Sequence, residues 1–368
     1  MSITIYFLLL LSNFLFAFRK RDSKKKNNIS YLLLIYSFVS MFLLLAGYRN
    51  NSGLTNDLIF NELEYNTFSI TSTTYEYGYV VLMMLGKFLL LDFYLWRSVL
   101  IFCSLLLLFY TIKKYSTNPH FVLFMYSMMY LFQSAHLFRN FLAFAIFQVG
   151  ISIYFYSDDN YRKFKFMVAI LLAASIHSSF ILYLPIIFLD SKLLNSRNIK
   201  VLTLSGLFVT MLVVIFGRKM LSTLILNSFA SRLQVYFNSS VGLGAFLFLI
   251  LHVSIIVMTY ITVRVVEKNI IYERIYRFNL LFFILSPMYF IDGTFIRIAR
   301  NVLPINYFLQ GDYLNDLRVP LENRKLYLIL SLMLLLFWFY ITYFYSSRPD
   351  VILIPFFKDN IYLSGCLN

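Results

Sequence analysis

The chain has 368 residues, of which 60% are hydrophobic, 20% aromatic and only 13% charged, with mean hydropathy +0.74. A soluble domain carries about 25% charged residues, so the composition excludes an ordinary water-soluble fold. The formal charge of +15 does not argue for nucleic acid, because the basic residues fall in short connections between apolar runs and not along a phosphate-tracking face.

A hydrocarbon core of ~30 Å needs roughly 20 helical residues. The first apolar run, 3–18, precedes Arg19-Lys20-Arg21. A signal peptide has the reverse order and a small-residue cleavage site, so this run reads as a retained span. Further spans are expected at 30–47, 97–113, 119–137, 139–156, 199–216, 242–265, 274–291, 295–312 and 325–345. The segment 78–92 is short and carries Gly86 and Lys87, which suits an interfacial or re-entrant helix. The run 164–189 contains Ser175, His177, Ser178, Ser179 and Pro185. It reads either as one long span or as two half-helices with His177 at the tip. The expected fold is an all-α integral membrane protein, a polytopic helical bundle of about 11–12 spans with outer-face loops and re-entrant or broken helices. It is expected as a single membrane domain over 1–345, with a periplasmic tail at 346–368.

Loop charge sets the orientation. With the N-terminus outside, 78–92 not crossing and 164–189 a two-helix excursion, the cytoplasmic loops are 19–29, 113–118, 157–165, 190–200, 264–277 and 312–325, and they hold 21 of the 32 Lys and Arg residues. That excess follows the positive-inside rule. The outer side then keeps long connections at about 48–96 and 217–241, the first of them rich in carboxylates, amides and tyrosines. Such a mixture suits sugar binding, and a plain solvated loop is the competing reading. Cys103 and Cys366 offer no disulfide framework or metal cluster, and no nucleotide fingerprint, His-x-x-x-His pair or hydrolase triad is visible. Nothing in the sequence demands a metal or another cofactor.

A charge near the bilayer centre costs ~2.5 kcal/mol or more, so charged residues in or beside spans mark polar cavities. Arg49, Asp57, Glu76, Arg139, His177, Arg232, Arg297 and Arg300 are such residues, and the orientation chosen from loop charge gathers them at or near the outer face. Most are cationic, which suits an anionic lipid head group. Each has a plainer alternative. Arg139 and Arg49 could be interface anchors, and His177 a hydrogen-bonded core histidine. Arg232 and Tyr236 could simply decorate a loop. Arg297 and Arg300, three apart and so on one helix face, could anchor to lipid phosphate. Lys87, His120 and His252 are assigned to structure.

The order of these motifs resembles the EpsG-like, Wzy-type polysaccharide polymerases of bacterial envelopes. The matching segments are Tyr48-Arg49, Asp57, Tyr75-Glu76-Tyr77-Gly78-Tyr79, Leu137-Phe138-Arg139-Asn140-Phe141-Leu142-Ala143, Ala173-Ala174-Ser175-Ile176-His177-Ser178-Ser179 with Pro185, and Arg232-Leu233-Gln234-Val235-Tyr236. Tyr77 stands where the family usually has proline, and Thr55 where it has glycine before the acidic residue. The resemblance implies a fold like the GT-C-type membrane glycosyltransferases. It also implies polymerisation of undecaprenyl-pyrophosphate-linked oligosaccharide repeat units at the periplasmic face of the bacterial inner membrane. Partners would be those lipid-linked sugars, membrane lipids, and a chain-length regulator and flippase of the same pathway, with no nucleic acid. Arg139 and His177, helped by Arg297 or Arg300, would meet the departing pyrophosphate. Asp57 first, or Glu76, would serve as the acceptor's base. Arg49, Arg232 and Tyr236 would contact substrate. A flippase for the same lipids, an O-antigen-ligase-like transferase and an O-acyltransferase remain alternatives.

Overall fold

The computed structural model describes residues 1–18, 28–49, 56–69, 75–191, 196–224, 244–266, 269–290, 295–345 and 349–364. Among them there is no strand, only an isolated bridge between Tyr48 and Asn360. The fold is all-α, as the hydropathy pattern requires. Six helices are long and apolar enough to cross a membrane: Asn28–Gly47 (α2), Phe93–Tyr115 (α5), Phe138–Tyr156 (α8), Asn198–Phe216 within α10 (Ser196–Leu224), Gly244–Val265 (α11) and Leu321–Tyr345. These correspond to six of the ten expected spans.

The other four differ in instructive ways. Ser2–Ala17 (α1) is apolar but has only 16 residues. The expected span 119–137 is a run of Pro119–Met129 (α6) and Leu131–His136 (α7), interrupted at Tyr130 and again at Leu137, which has φ −96° and ψ 57°. The expected span 274–291 is Ile270–Phe283 (α12) followed by a 3₁₀ turn, Ser286–Phe290. The expected span 295–312 is Ile296–Asn315 (α13). This helix is buried on nearly every side although it carries Arg300, Asn301, Asn306, Gln310 and Asp312. One cross-link explains part of that burial. Asn306 and Asn279 exchange side-chain amide hydrogen bonds of 2.8 and 3.1 Å, so each buried dipole has a partner.

The described residues form two compact units. One comprises 1–184 and 335–368. In it α8 is the central helix, packed against α5, α7 and α9 (Arg162–Ile176), while α1 lies against α2 and α6. Seventy-two per cent of the α8 span is buried, against 33% for α2. The remaining faces of α1, α2 and α5 present Phe7, Leu11, Leu32, Val39, Leu95 and Phe102, an apolar exterior suited to lipid. His120 bridges α1 and the start of α2, through Asn13 Oδ1 at 3.0 Å and Ser30 Oγ at 2.8 Å. The second unit, 185–334, is built on α10 to α13. There Asp190 pairs with Arg274 at 2.8 Å, and His252 meets the Tyr289 hydroxyl at 2.9 Å.

The segment expected as a periplasmic tail includes two short helices. Leu353–Lys358 (α15) and Ile361–Ser364 (α16) fold into the first unit. Phe356 and Phe357 pack edge-on to Phe132 at 4.8 and 5.7 Å, and these two rings supply the apolar area that draws the segment in.

Candidate functional site

Three chain breaks meet in the first unit. α9 (Arg162–Ile176) stops at His177, whose backbone is extended at φ −146° and ψ 106°, and a 3₁₀ segment, Ser178–Phe188, follows. The 164–189 run is therefore interrupted at His177, matching the two-segment alternative. α4 (Tyr77–Phe88) begins after Glu76, whose backbone is extended and whose carbonyl accepts from the Tyr79 and Val80 N–H groups. Its 12 residues span roughly 18 Å, too little to cross a bilayer alone. α8 begins just after the Leu137 break, with Arg139 in its first turn.

Glu76 ties these breaks together. Its Oε2 accepts from Arg139 Nη1 at 2.8 Å and its Oε1 from the Ser178 backbone N–H at 3.0 Å. The carboxylate thus closes the open N-terminus of the 3₁₀ segment, where unsatisfied N–H groups favour negative charge. Burial alone would raise the Glu76 carboxyl, but the Ser178 N–H and the Arg139 guanidinium outweigh it and hold the group below its ordinary value. It is an anion already spoken for.

Arg139 is not consumed by this pair. A guanidinium offers five N–H donors, and one nitrogen bonds Glu76. The plane lies over the Tyr75 ring at 4.6 Å and near Tyr79 at 5.9 Å, and the side chain keeps 24% of its surface exposed. His177 is half-buried one residue from the Glu76 contact, with Nδ1 2.8 Å from Ser179 Oγ. Close approach of α4 to α9 depends on Gly78, where a Cβ would lie 2.3 Å from Ser175 Oγ and 2.8 Å from the Ser175 carbonyl oxygen.

Asp57 lies apart from this ion pair. It occupies the first turn of α3 (Asn56–Asn66), exposed to solvent. The Tyr75 hydroxyl beside Arg139 is raised above its ordinary value, chiefly by burial, with Arg139 opposing and the charges of Glu64, Asp57 and Glu76 adding to the rise. α3 is anchored by Asn61, which accepts from the Tyr79 hydroxyl at 3.2 Å, and by Glu62, which accepts from the Tyr94 hydroxyl at 2.8 Å. Arg49 stacks over that same Tyr94 ring, 4.0 Å from the guanidinium carbon to the ring centroid. Its Nε is buried and, among the described residues, makes no hydrogen bond.

The remaining candidates separate. Arg232 and Tyr236 lie outside the described residues. Arg297 is exposed and Arg300 is 6% exposed, so the pair does not share one environment. Residues three apart still differ by about 60° around a helix, and α13 is enclosed on enough sides for that angle to divide them.

Sequence reading missed Arg97, Tyr94 and Asn360, and took Glu62 and Glu64 only as carboxylates of a sugar-binding outer connection. Arg97 is wholly buried and donates to the carbonyls of Tyr48 at 2.9 Å, Leu45 at 3.0 Å and Ala135 at 3.2 Å. Its position at the edge of an expected span was the available signal.

The model of the EpsG family matches residues 33–358. Among proteins of curated function and among solved structures, none matches the chain. The matched span includes both the Glu76–Arg139 pair and the His177 break, and it covers most of the 368 residues. The chain therefore belongs to the EpsG family, as an all-α, multi-pass membrane protein.

Proposed function

We propose that the protein is a membrane glycosyltransferase of the polysaccharide-polymerase type, joining oligosaccharide units carried on undecaprenyl pyrophosphate at the periplasmic face of a bacterial inner membrane. The observation that carries this reading is Arg139, partly exposed over Tyr75 and held by a Glu76 that also caps the segment after His177. In the reaction the bond between the donor's anomeric carbon and the pyrophosphate oxygen breaks, and its electron pair leaves on the pyrophosphate. A hydroxyl oxygen of the acceptor unit bonds to that carbon, and its proton passes to a base. Arg139 meets the growing negative charge with the donors that Glu76 does not occupy, where limited water strengthens the interaction. His177 stands beside it as a further donor.

Glu76 is poorly suited to be the base. A base works best with a pKa near the working pH, whereas two donors depress Glu76. It positions Arg139. Asp57, exposed in the first turn of α3, takes the proton. Arg49 on Tyr94 supplies a second cation for lipid-linked substrate. Arg297, the exposed member of its pair, faces lipid phosphate in its own unit.

Purified protein supplied with a synthetic undecaprenyl-pyrophosphate repeat unit tests the reading. Wild type should give a ladder of chain lengths, while Arg139→Ala and His177→Ala, correctly inserted, give single units. Full ladders from both variants would sink the assignment. Movement of the lipid-linked unit between leaflets without new glycosidic bonds would point to a flippase.

A further inference from the structure

The carboxyl-terminal end of α2 is satisfied by residues from far along the chain. The last carbonyls of a helix have no intrahelical donor. Here Asn360 Nδ2 donates to the Leu43 and Leu44 carbonyls at 3.1 and 3.2 Å, and Arg97 takes those of Leu45 and Tyr48. The backbone then pairs across the same junction, with the Arg49 N–H donating to the Asp359 carbonyl at 2.7 Å. Asn360 is 1% exposed and its Oδ1 presses on Gly47, where a Cβ would lie 2.2 Å away. The Tyr48 hydroxyl meets His136 Nδ1 at 3.1 Å, and His136 Nε2 lies 3.4 Å from the Ile352 carbonyl.

We propose that the segment 353–364 is a latch on α2, and that Asn360, seated in the space left by Gly47, is the positioning residue that presents Arg49. The segment holds the residue that follows Tyr48 from both its backbone and the helix behind it. The functional half of this inference rests on Arg49 contacting a lipid pyrophosphate. The latch itself rests only on the Gly47–Asn360 fit. A side chain at 47 must expel Asn360 and break its two bonds to α2, so the two positions act as a unit.

Two mutant cycles on the full-length protein separate these claims. The first reads binding of undecaprenyl pyrophosphate. Asn360→Ala should raise the half-saturating concentration roughly two- to tenfold, the worth of a lost hydrogen bond. The double variant with Arg49→Ala should bind no more weakly than Arg49→Ala alone, because Asn360 acts through Arg49. Wild-type binding by Asn360→Ala, or losses that multiply in the double variant, overturns the positioning role. Wild-type binding by Arg49→Ala overturns the substrate role of Arg49 instead. The second cycle reads thermal unfolding and needs no ligand. Gly47→Ala should lower the transition, and adding Asn360→Ser, which shortens the clashing side chain without remaking its two bonds to α2, should restore part of it. Additive losses in that pair would overturn the latch.

Discussion

At the scale of single residues, the Glu76–Arg139 pair makes claims that can be checked separately from chemistry. Glu76→Gln keeps the shape but removes the charge facing Arg139 and the Ser178 N–H. The pair is about a quarter exposed, so the stability loss should be modest, about 1 kcal/mol, while polymer formation falls much further as Arg139 loses its orientation. Unfolding midpoints and chain ladders measured together show that split. The pH dependence follows from the same group. Its folded pKa lies below the ordinary 4.5, so its stabilisation is fully present above that value. It fades as the pH falls through the lower folded value. Wild type and Glu76→Gln should therefore converge in stability on acidification and differ above pH 4.5. Glu76, Arg139 and His177 were legible in the sequence because they sit in ordered motifs beside spans. The Ser178 N–H was not, since a backbone donor leaves no trace in residue identity. Arg97 and Asn360 escaped for another reason: their acceptors lie 52 and 316 residues away.

At the scale of elements, hydropathy located the apolar runs and overlooked the break within 119–137. Residues 119–137 look continuous to an average over composition, yet the backbone departs from the helix at Leu137 and so sets Arg139 at the start of α8. The break at His177 was visible as one of two alternatives because serines crowd around it. The short α4 carries the tightest demand. Gly78→Ala would force its Cβ into Ser175 Oγ and into the Ser175 backbone carbonyl, which cannot swing aside as a side-chain tip can. The expected cost is about 1–3 kcal/mol, with loss of polymerisation, because separating α4 from α9 also separates Glu76 from Ser178. Ser175→Gly in the same background should recover only part of the loss, since the carbonyl remains. Thermal unfolding of wild type and the two variants decides the point.

For the whole molecule, the positive-inside count predicts a definite arrangement. A phosphatase joined after residue 368 or inserted within 217–241 should be active, and one inserted within 19–29 silent. An active reporter in 19–29 with a silent one after 368 would invert the assignment and place Glu76 and Arg139 on the wrong face for a periplasmic reaction. The all-α class was readable from composition, as lipid leaves the backbone few alternatives. The folding of 353–364 into the first unit was not. Its two adjacent phenylalanines are unremarkable until Phe132 is placed beside them.

Arg97 has a bearing on how the chain is made. Its guanidinium is completely buried, and among the described residues it pairs with no carboxylate; three carbonyls from helix ends are its acceptors. Two of these, Leu45 and Tyr48, are synthesised before Arg97, and Ala135 only afterwards. A lone arginine resists entry into hydrocarbon, but from the first turns of α5 it can reach the interface. Arg97 thus has two acceptors at the end of α2 that precede it in the chain and a third, at the end of α7, that follows it, so one buried cation ties together three helices in the order in which the chain supplies them.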